Sequence, residues 1–259
     1  MKKYTSDWIV KENAPLNMNY FLLKLYLEDT IPEILPGQFV QVAINNSSNT
    51  FLRRPISVHF VDKEANELWL LVQKVGEGTH KLSEVSIGEK INLIYPLGNG
   101  FSLSPNSTSN NLLLIGGGVG IAPLLYLGNC LKEKGLKPSF LLGARTDKDL
   151  LQLEEFRKYG ELYITTEDGS LGEKGFVTNH SILQKGDADF IYSCGPQPMM
   201  ISVAHYAKER NIPCEVSLEN KMACGIGACL CCVEKIKKGN TCVCTEGPVF
   251  NINQLTWQI

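Results

Sequence analysis

The sequence lacks any long hydrophobic run and any marked imbalance of charge. Its longest apolar stretch, Leu112 to Leu127, falls short of the ~20 residues a membrane helix needs and is interrupted by four glycines and a proline, so no transmembrane segment is expected. Across 259 residues, 25 Lys and Arg stand against 27 Asp and Glu, a formal net charge of -2. No run of basic residues occurs, which argues against a nucleic-acid binder held by phosphate attraction. The start, Met1-Lys2-Lys3-Tyr4-Thr5-Ser6-Asp7, reaches an aspartate without a hydrophobic region, so a secretory signal is not read and a cytoplasmic protein is expected. Internal repeats and low-complexity tracts are also missing. What remains, 44% hydrophobic and 20% charged, is ordinary globular composition with enough length for two domains and a small appendage.

Cysteine is plentiful but unevenly spread: of nine, six fall between Cys224 and Cys244. An odd, clustered set without an export signal is not a disulfide framework; it points to metal ligation or redox chemistry, because a reducing compartment leaves thiolates free for soft metals. Four of them have the spacing Cys224-x4-Cys229-x2-Cys232-x11-Cys244. The first two intervals are those of a plant-type [2Fe-2S] ligand set followed by a distant fourth cysteine. Gly225 and Gly227 lie between the first ligands, where a side chain would crowd a backbone wrapped round a cluster. The competing occupant is structural zinc, although zinc knuckles usually pair two short C-x2-C units, whereas here a three-cysteine loop faces one distant partner. Cys244 is chosen as the fourth ligand because it precedes the turn Thr245-Glu246-Gly247-Pro248, with Cys242 and Cys231 as neighbouring alternatives. Cys130, Cys194, Cys214 and Cys231 read more as small buried hydrophobes than as ligands.

From Trp8 to about Phe101 short β-rich runs (Tyr20–Leu27, Phe39–Ile44, Ile56–Val61, Glu67–Val75, Lys90–Ile94) alternate with turns, the pattern of a small antiparallel barrel or sandwich. The polar stretch Ser102 to Asn111 marks a boundary. Beyond it, strands at Asn111–Ile115, Pro138–Leu142, Glu161–Thr165 and Phe190–Ser193 alternate with helical stretches at Ile121–Lys134, Leu150–Tyr159, Val177–Leu183 and Met199–Arg210. That alternation implies a doubly wound parallel sheet.

Two strand-to-helix loops in that sheet are candidate nucleotide contacts. Gly116, Gly117, Gly118 and Gly120 leave room for a pyrophosphate at a helix start, and Pro123 suits the first helical turn. Cys194 and Gly195 open the second loop and are small enough to approach a nicotinamide. The turn Thr165-Thr166-Glu167-Asp168-Gly169 is acidic and holds no arginine, which favours NAD over NADP because a 2'-phosphate would be repelled. In the barrel region Arg53-Arg54-Pro55-Ile56-Ser57 offers paired cations, with Arg54 suited to a phosphate and Ser57 to a flavin. Gly76-Glu77-Gly78-Thr79, ahead of an expected helix at His80–Val85, supplies a second backbone donor loop.

Together Arg54-Pro55-Ile56-Ser57, Gly78-Thr79, Gly116 to Pro123 and Cys194-Gly195-Pro196 resemble the ferredoxin reductase-like superfamily. With Met222 to Cys232 and Cys244-Thr245-Glu246-Gly247-Pro248-Val249-Phe250 added, the chain resembles, over essentially its whole length, the electron-transfer subunits of type B dihydroorotate dehydrogenases. The resemblance implies an antiparallel FAD-binding β-barrel at 1–103, an NAD-binding α/β domain at 104–213 and a small [2Fe-2S] domain at 214–259. It puts FAD on Arg54, Pro55, Ile56, Ser57, on Val72, Gln73, Lys74 and on Gly78 and Thr79, and the cluster on Cys224, Cys229, Cys232 and Cys244. It further implies an FMN-bearing catalytic partner that oxidises dihydroorotate to orotate, two of each subunit in a heterotetramer, and electron flow from that FMN through [2Fe-2S] and FAD to NAD. The chain has no room for the partner's (β/α)8 barrel of about 250 residues, so it is not expected to oxidise dihydroorotate alone. Two departures stand out: Leu230-Cys231 where relatives commonly have an aromatic and a small residue, and Pro55-Ile56 where many members place an aromatic before the serine. Other redox complexes built from the same modules, of the hydrogenase, sulfite reductase or transhydrogenase kind, are the rival reading. The transhydrogenase relatives often have aspartate in place of Cys224.

Overall fold

A computed structural model of the chain describes residues 2–45, 49–104 and 111–259. Most of the polar boundary stretch read from the sequence lies outside the described residues. The described chain forms two compact units, each considered by itself. The first comprises 1–100, 220–234 and 241–248, and the second 101–219, 235–240 and 249–259, so the C-terminal 214–259 contributes to both.

In the first unit seven strands form one antiparallel sheet: β1 (Tyr4–Pro15), β2 (Tyr20–Tyr26), β3 (Phe39–Val42), β4 (Arg54–Ser57), β5 (Phe60–Asp62), β6 (Glu67–Gln73) and β7 (Lys90–Leu97). Their order is β4-β3-β7-β1-β2-β6-β5, and helix α1 (Glu77–Leu82) follows β6. The expected strand Ile56–Val61 is in fact two. Residues up to Ser57 pair with β3, whereas the His59 amide bonds to Trp69 of β6, and from Phe60 the chain pairs with β6. The corner at Val58-His59 therefore carries the chain from one edge of the sheet to the other, which curls it into a barrel. Trp8 and Val10 alternate into the interior from β1, beside Leu23, Leu25, Leu68 and Leu70, all with zero exposure.

In the second unit the strands are β8 (Asn111–Gly117), β9 (Lys137–Ala144), β10 (Glu161–Thr166), β11 (Glu173–Lys174), β12 (Phe190–Cys194), β13 (Cys214–Ser217) and, after a hairpin of β14 (Val233–Ile236) and β15 (Gly239–Cys242), β16 (Val249–Asn251). The order β11-β10-β9-β8-β12-β13-β16 is parallel except for β16, which runs antiparallel to β13. Helices α2 (Ala122–Glu133), α3 (Leu153–Arg157), α4 (Ser181–Lys185) and α5 (Gln197–Glu209) connect the strands, and α6 (Val243–Glu246) lies near the C-terminus in the first unit. The expected helix Val177–Leu183 is broken. A 3-10 turn ends at Asn179, and His180 then caps α4, its Nδ1 accepting from the Ile182 amide at 3.1 Å. Among the described residues no helix is long and apolar enough to cross a membrane.

Candidate functional site

The order of the second sheet puts β8 at the switch point, with β9 on one side and β12 on the other. Ligands of open α/β sheets bind at the carboxyl ends of such strands, because the loops there diverge. Here the two predicted nucleotide loops meet. A Cβ on Gly120 would fall 2.3 Å from the Cα of Gly195, and one on Gly195 would fall 2.9 Å from the Gly117 carbonyl oxygen. The glycines are thus required for the loops to touch at all. Gly118, at φ +55°, has open space where its side chain would be, as a backbone surface left for a ligand must. Gly116 is packed under Leu124 and Ile121. Cys194 is buried, and burial pushes its thiol well up, leaving it a small neutral neighbour.

The acidic turn after β10 is partly consumed by its own structure. Thr165 and Thr166 are buried and donate their hydroxyls to the carbonyls of Glu173, Gly175 and Leu171. Asp168 accepts from the Ser170 hydroxyl at 2.6 Å and amide at 3.0 Å, which hold its carboxyl below the usual range. Glu167 is exposed, as is Asp168.

On the barrel the two adjacent arginines diverge. Arg53 donates to the carbonyl and side chain of Asn92 at 2.9 and 2.6 Å and to the Gln41 carbonyl at 3.3 Å, tying β4 across β3 to β7. Arg54 instead lies over the turn at the start of α1, where a Cβ on Gly78 would fall 2.6 Å from its Nε. The structure therefore brings together Arg54 and Gly78, two candidates 24 positions apart in sequence. The Thr79 hydroxyl is spent within this turn, accepting from the amides of Val75 and Gly76 at 2.9 and 3.2 Å. It shapes the turn, and backbone is what the turn offers. Pro55, Ile56 and Ser57 are half-buried on β4, which packs near β6, the strand that ends at Gln73 and is followed by Lys74; Val72 is buried.

The cysteine loop belongs to the same compact unit as the barrel. Its backbone curls so that amides point at sulfur: Ile226 and Cys229 donate to Cys224 Sγ at 3.4 Å, Gly227 to Cys244 Sγ at 3.2 Å and Cys244 to Cys232 Sγ at 3.4 Å. Gly225 and Gly227, at φ +70° and +86°, permit that curl. Burial works against the Cys224 thiolate, but the amides of Ile226, Cys229 and Ala228 and the Cys229 thiol outweigh it and bring the thiol down to about 6. Donors aimed at thiolate sulfur are what an iron–sulfur cluster requires, so the residues present fit one. Cys231 points elsewhere, its thiol donating to the Lys221 carbonyl at 3.6 Å, while Cys242 stays close to Cys232. The segment after Cys244 is pinned to the barrel: Asn99 donates to the Glu246 carbonyl at 3.0 Å, and Gly98 sits against Pro248. Sequence reasoning passed over one residue at this place, Gln41 of β3, which lies against Gly225. It reads as one more polar residue in a short strand, and no local signal marks it.

The fold is that of several solved reductases. An NADH-dependent reduced ferredoxin-NADP oxidoreductase, studied for flavin-based electron bifurcation, superposes with a TM-score of 0.84 and 31% identity, covering 96% of this chain and 90% of that one. The ferredoxin reductase in carbazole 1,9a-dioxygenase superposes with a TM-score of 0.69 at 19% identity, over 82% and 68%. Barrel, switch-point glycine loops and cysteine loop together define an oxidoreductase of the ferredoxin reductase-like class. Residues 219–256 match the iron-sulfur cluster binding domain of dihydroorotate dehydrogenase B, and 114–205 match the oxidoreductase NAD-binding domain. The electron transfer subunits of dihydroorotate dehydrogenase B (NAD(+)) from Shouchella clausii (strain KSM-K16) and Geobacillus sp. (strain WCH70) are 38% and 40% identical, over 98% of both chains and over 95% and 96% respectively. The chain belongs to this family of electron transfer subunits. It is a redox protein whose cofactors are FAD, a [2Fe-2S] cluster and NAD.

Proposed function

We propose that this chain is the NAD-reducing half of a two-subunit dihydroorotate-oxidising enzyme of pyrimidine biosynthesis, in the cytoplasm. Its partner is a catalytic subunit that bears FMN and converts dihydroorotate to orotate, and the complex holds two copies of each. NAD takes two electrons as hydride, a cluster passes one at a time and a flavin can do both, so FAD converts between them. Cys224, Cys229, Cys232 and Cys244 are the cluster's ligands. Arg54, with the Gly78-Thr79 turn, holds the FAD phosphates. Pro55, Ile56, Ser57, Val72, Gln73 and Lys74 line the rest of the flavin site. Gly116, Gly117, Gly118, Gly120, Cys194 and Gly195 receive NAD.

One observation carries the reading most directly: the curled cysteine loop packs on β3, the strand hydrogen-bonded to β4 with its flavin residues. A cluster held there sits one strand from the flavin within a single compact unit. Ile226 and Leu230, 43% and 63% exposed on the same loop, supply an apolar face for the partner.

The test is isolation of the tagged protein, anaerobically and from its own cells, followed by assay for dihydroorotate-dependent reduction of NAD. Activity together with a co-purifying FMN subunit is the expected result. Iron, acid-labile sulfide and FAD without that activity would reject the pyrimidine role and point to a different redox partner.

A further inference from the structure

Gln41 sits near the middle of β3, opposite Pro55 of β4 on one side and Ile94 of β7 on the other. Its side chain is fully buried, and neither Nε2 nor Oε1 has a hydrogen-bond partner among the described residues. Buried carboxamides are nearly always satisfied, so an orphan of this kind calls for a partner that arrives from outside the polypeptide. The direction it faces is set by its neighbour. A Cβ on Gly225 would stand 2.6 Å from Nε2 and 2.7 Å from Cγ, so the carboxamide lies against the residue that follows Cys224. The strand beneath is held in place, since Arg53 fastens the Gln41 carbonyl at 3.3 Å and Asn92 at 2.9 Å.

We propose that Gln41 donates a hydrogen bond from Nε2 to a bridging sulfide of the bound cluster. This rests on the reading that Cys224, Cys229, Cys232 and Cys244 hold [2Fe-2S]. Backbone amides serve Cys224 from within its own loop, and Gln41 adds a donor from the barrel side. Reduction places extra negative charge on the sulfurs, which strengthens any hydrogen bond they accept. The carboxamide therefore favours the reduced cluster and raises its potential. It also explains glycine at 225, where any side chain would displace the carboxamide.

The experiment compares the wild-type full chain with Gln41→Leu, which keeps the shape and removes the donor, in redox titrations followed by EPR, with iron, acid-labile sulfide and FAD measured on each sample. The expected result is full cluster and flavin content with a more negative cluster midpoint. At fixed ambient potential the ratio of reduced to oxidised cluster should fall roughly tenfold, about 59 mV for one electron, while the flavin potential stays put. Full cluster content with a wild-type midpoint would overturn the proposal alone. Absence of iron and sulfide from the wild-type chain would overturn the cluster reading and this proposal with it. Should Gln41→Leu fail to hold its cluster, hyperfine spectroscopy of the reduced wild-type protein, carrying glutamine labelled with 15N in the side chain, decides. A nitrogen coupling supports the donor role, and its absence rejects it.

Discussion

The guanidinium of Arg53 is committed to Asn92 and the Gln41 carbonyl, while that of Arg54 faces the glycine turn before α1, so exchanging either for alanine should fail in a different way. Arg54→Ala should lower FAD retention tenfold or more, about 1.4 kcal/mol, with little change in unfolding; flavin per protein after gel filtration measures it. Arg53→Ala should cost about 1–3 kcal/mol of stability because it removes three part-buried hydrogen bonds to Gln41 and Asn92, read as a shifted denaturant midpoint. The acidic turn supports a similar distinction. Asp168 is held by Ser170 and Glu167 is exposed, so Glu167→Arg alone should raise the NADP to NAD activity ratio. An unchanged ratio would place selectivity outside this turn.

Among the elements, α2 shows how closely the second unit is packed. Gly128 lets the helix descend onto β9, for a Cβ there would fall 2.3 Å from the ring of Phe140. Gly128→Ala should cost about 1–3 kcal/mol through overpacking, visible as a lower Tm with flavin content unchanged. Gly120→Ala, in the loop before the same helix, strikes function instead. Its Cβ would force the β8 and β12 loops apart, so NADH binding should weaken while FAD and cluster remain. The element pattern was legible where period and punctuation are local: β8, α2, β12 and α5 stand within a residue or two of their expected bounds. It was not legible at Val58-His59, where the break between β4 and β5 depends on which neighbouring strand each residue meets after the sheet curls.

For the whole molecule, the four candidate cysteines and the flavin strand occur in one compact unit although over 160 positions separate Ser57 from Cys224. Cys229→Ser should abolish the cluster's visible absorbance and coupling to the partner, yet spare NADH oxidation by artificial two-electron acceptors. Full retention of coupling would refute the ligand assignment. Cys231→Ser should do neither, since that thiol turns to the Lys221 carbonyl.

The sequence by itself determined the chemistry: thiol spacing, glycine loops and alternating strand patterns are short-range features, each written within one or two dozen residues. Tertiary structure decided which groups remain free to use that chemistry. It assigned Arg53 to the barrel and left Arg54 to the turn, spent the Thr79 hydroxyl and the Asp168 carboxylate on local bonds, and set Gln41 unpartnered against Gly225. The arginine and Gln41 outcomes depend on register across strands and on which segments meet in space, so no short window of sequence contains both partners; the Thr79 and Asp168 bonds join near neighbours and form only once the folded turns bring those groups face to face.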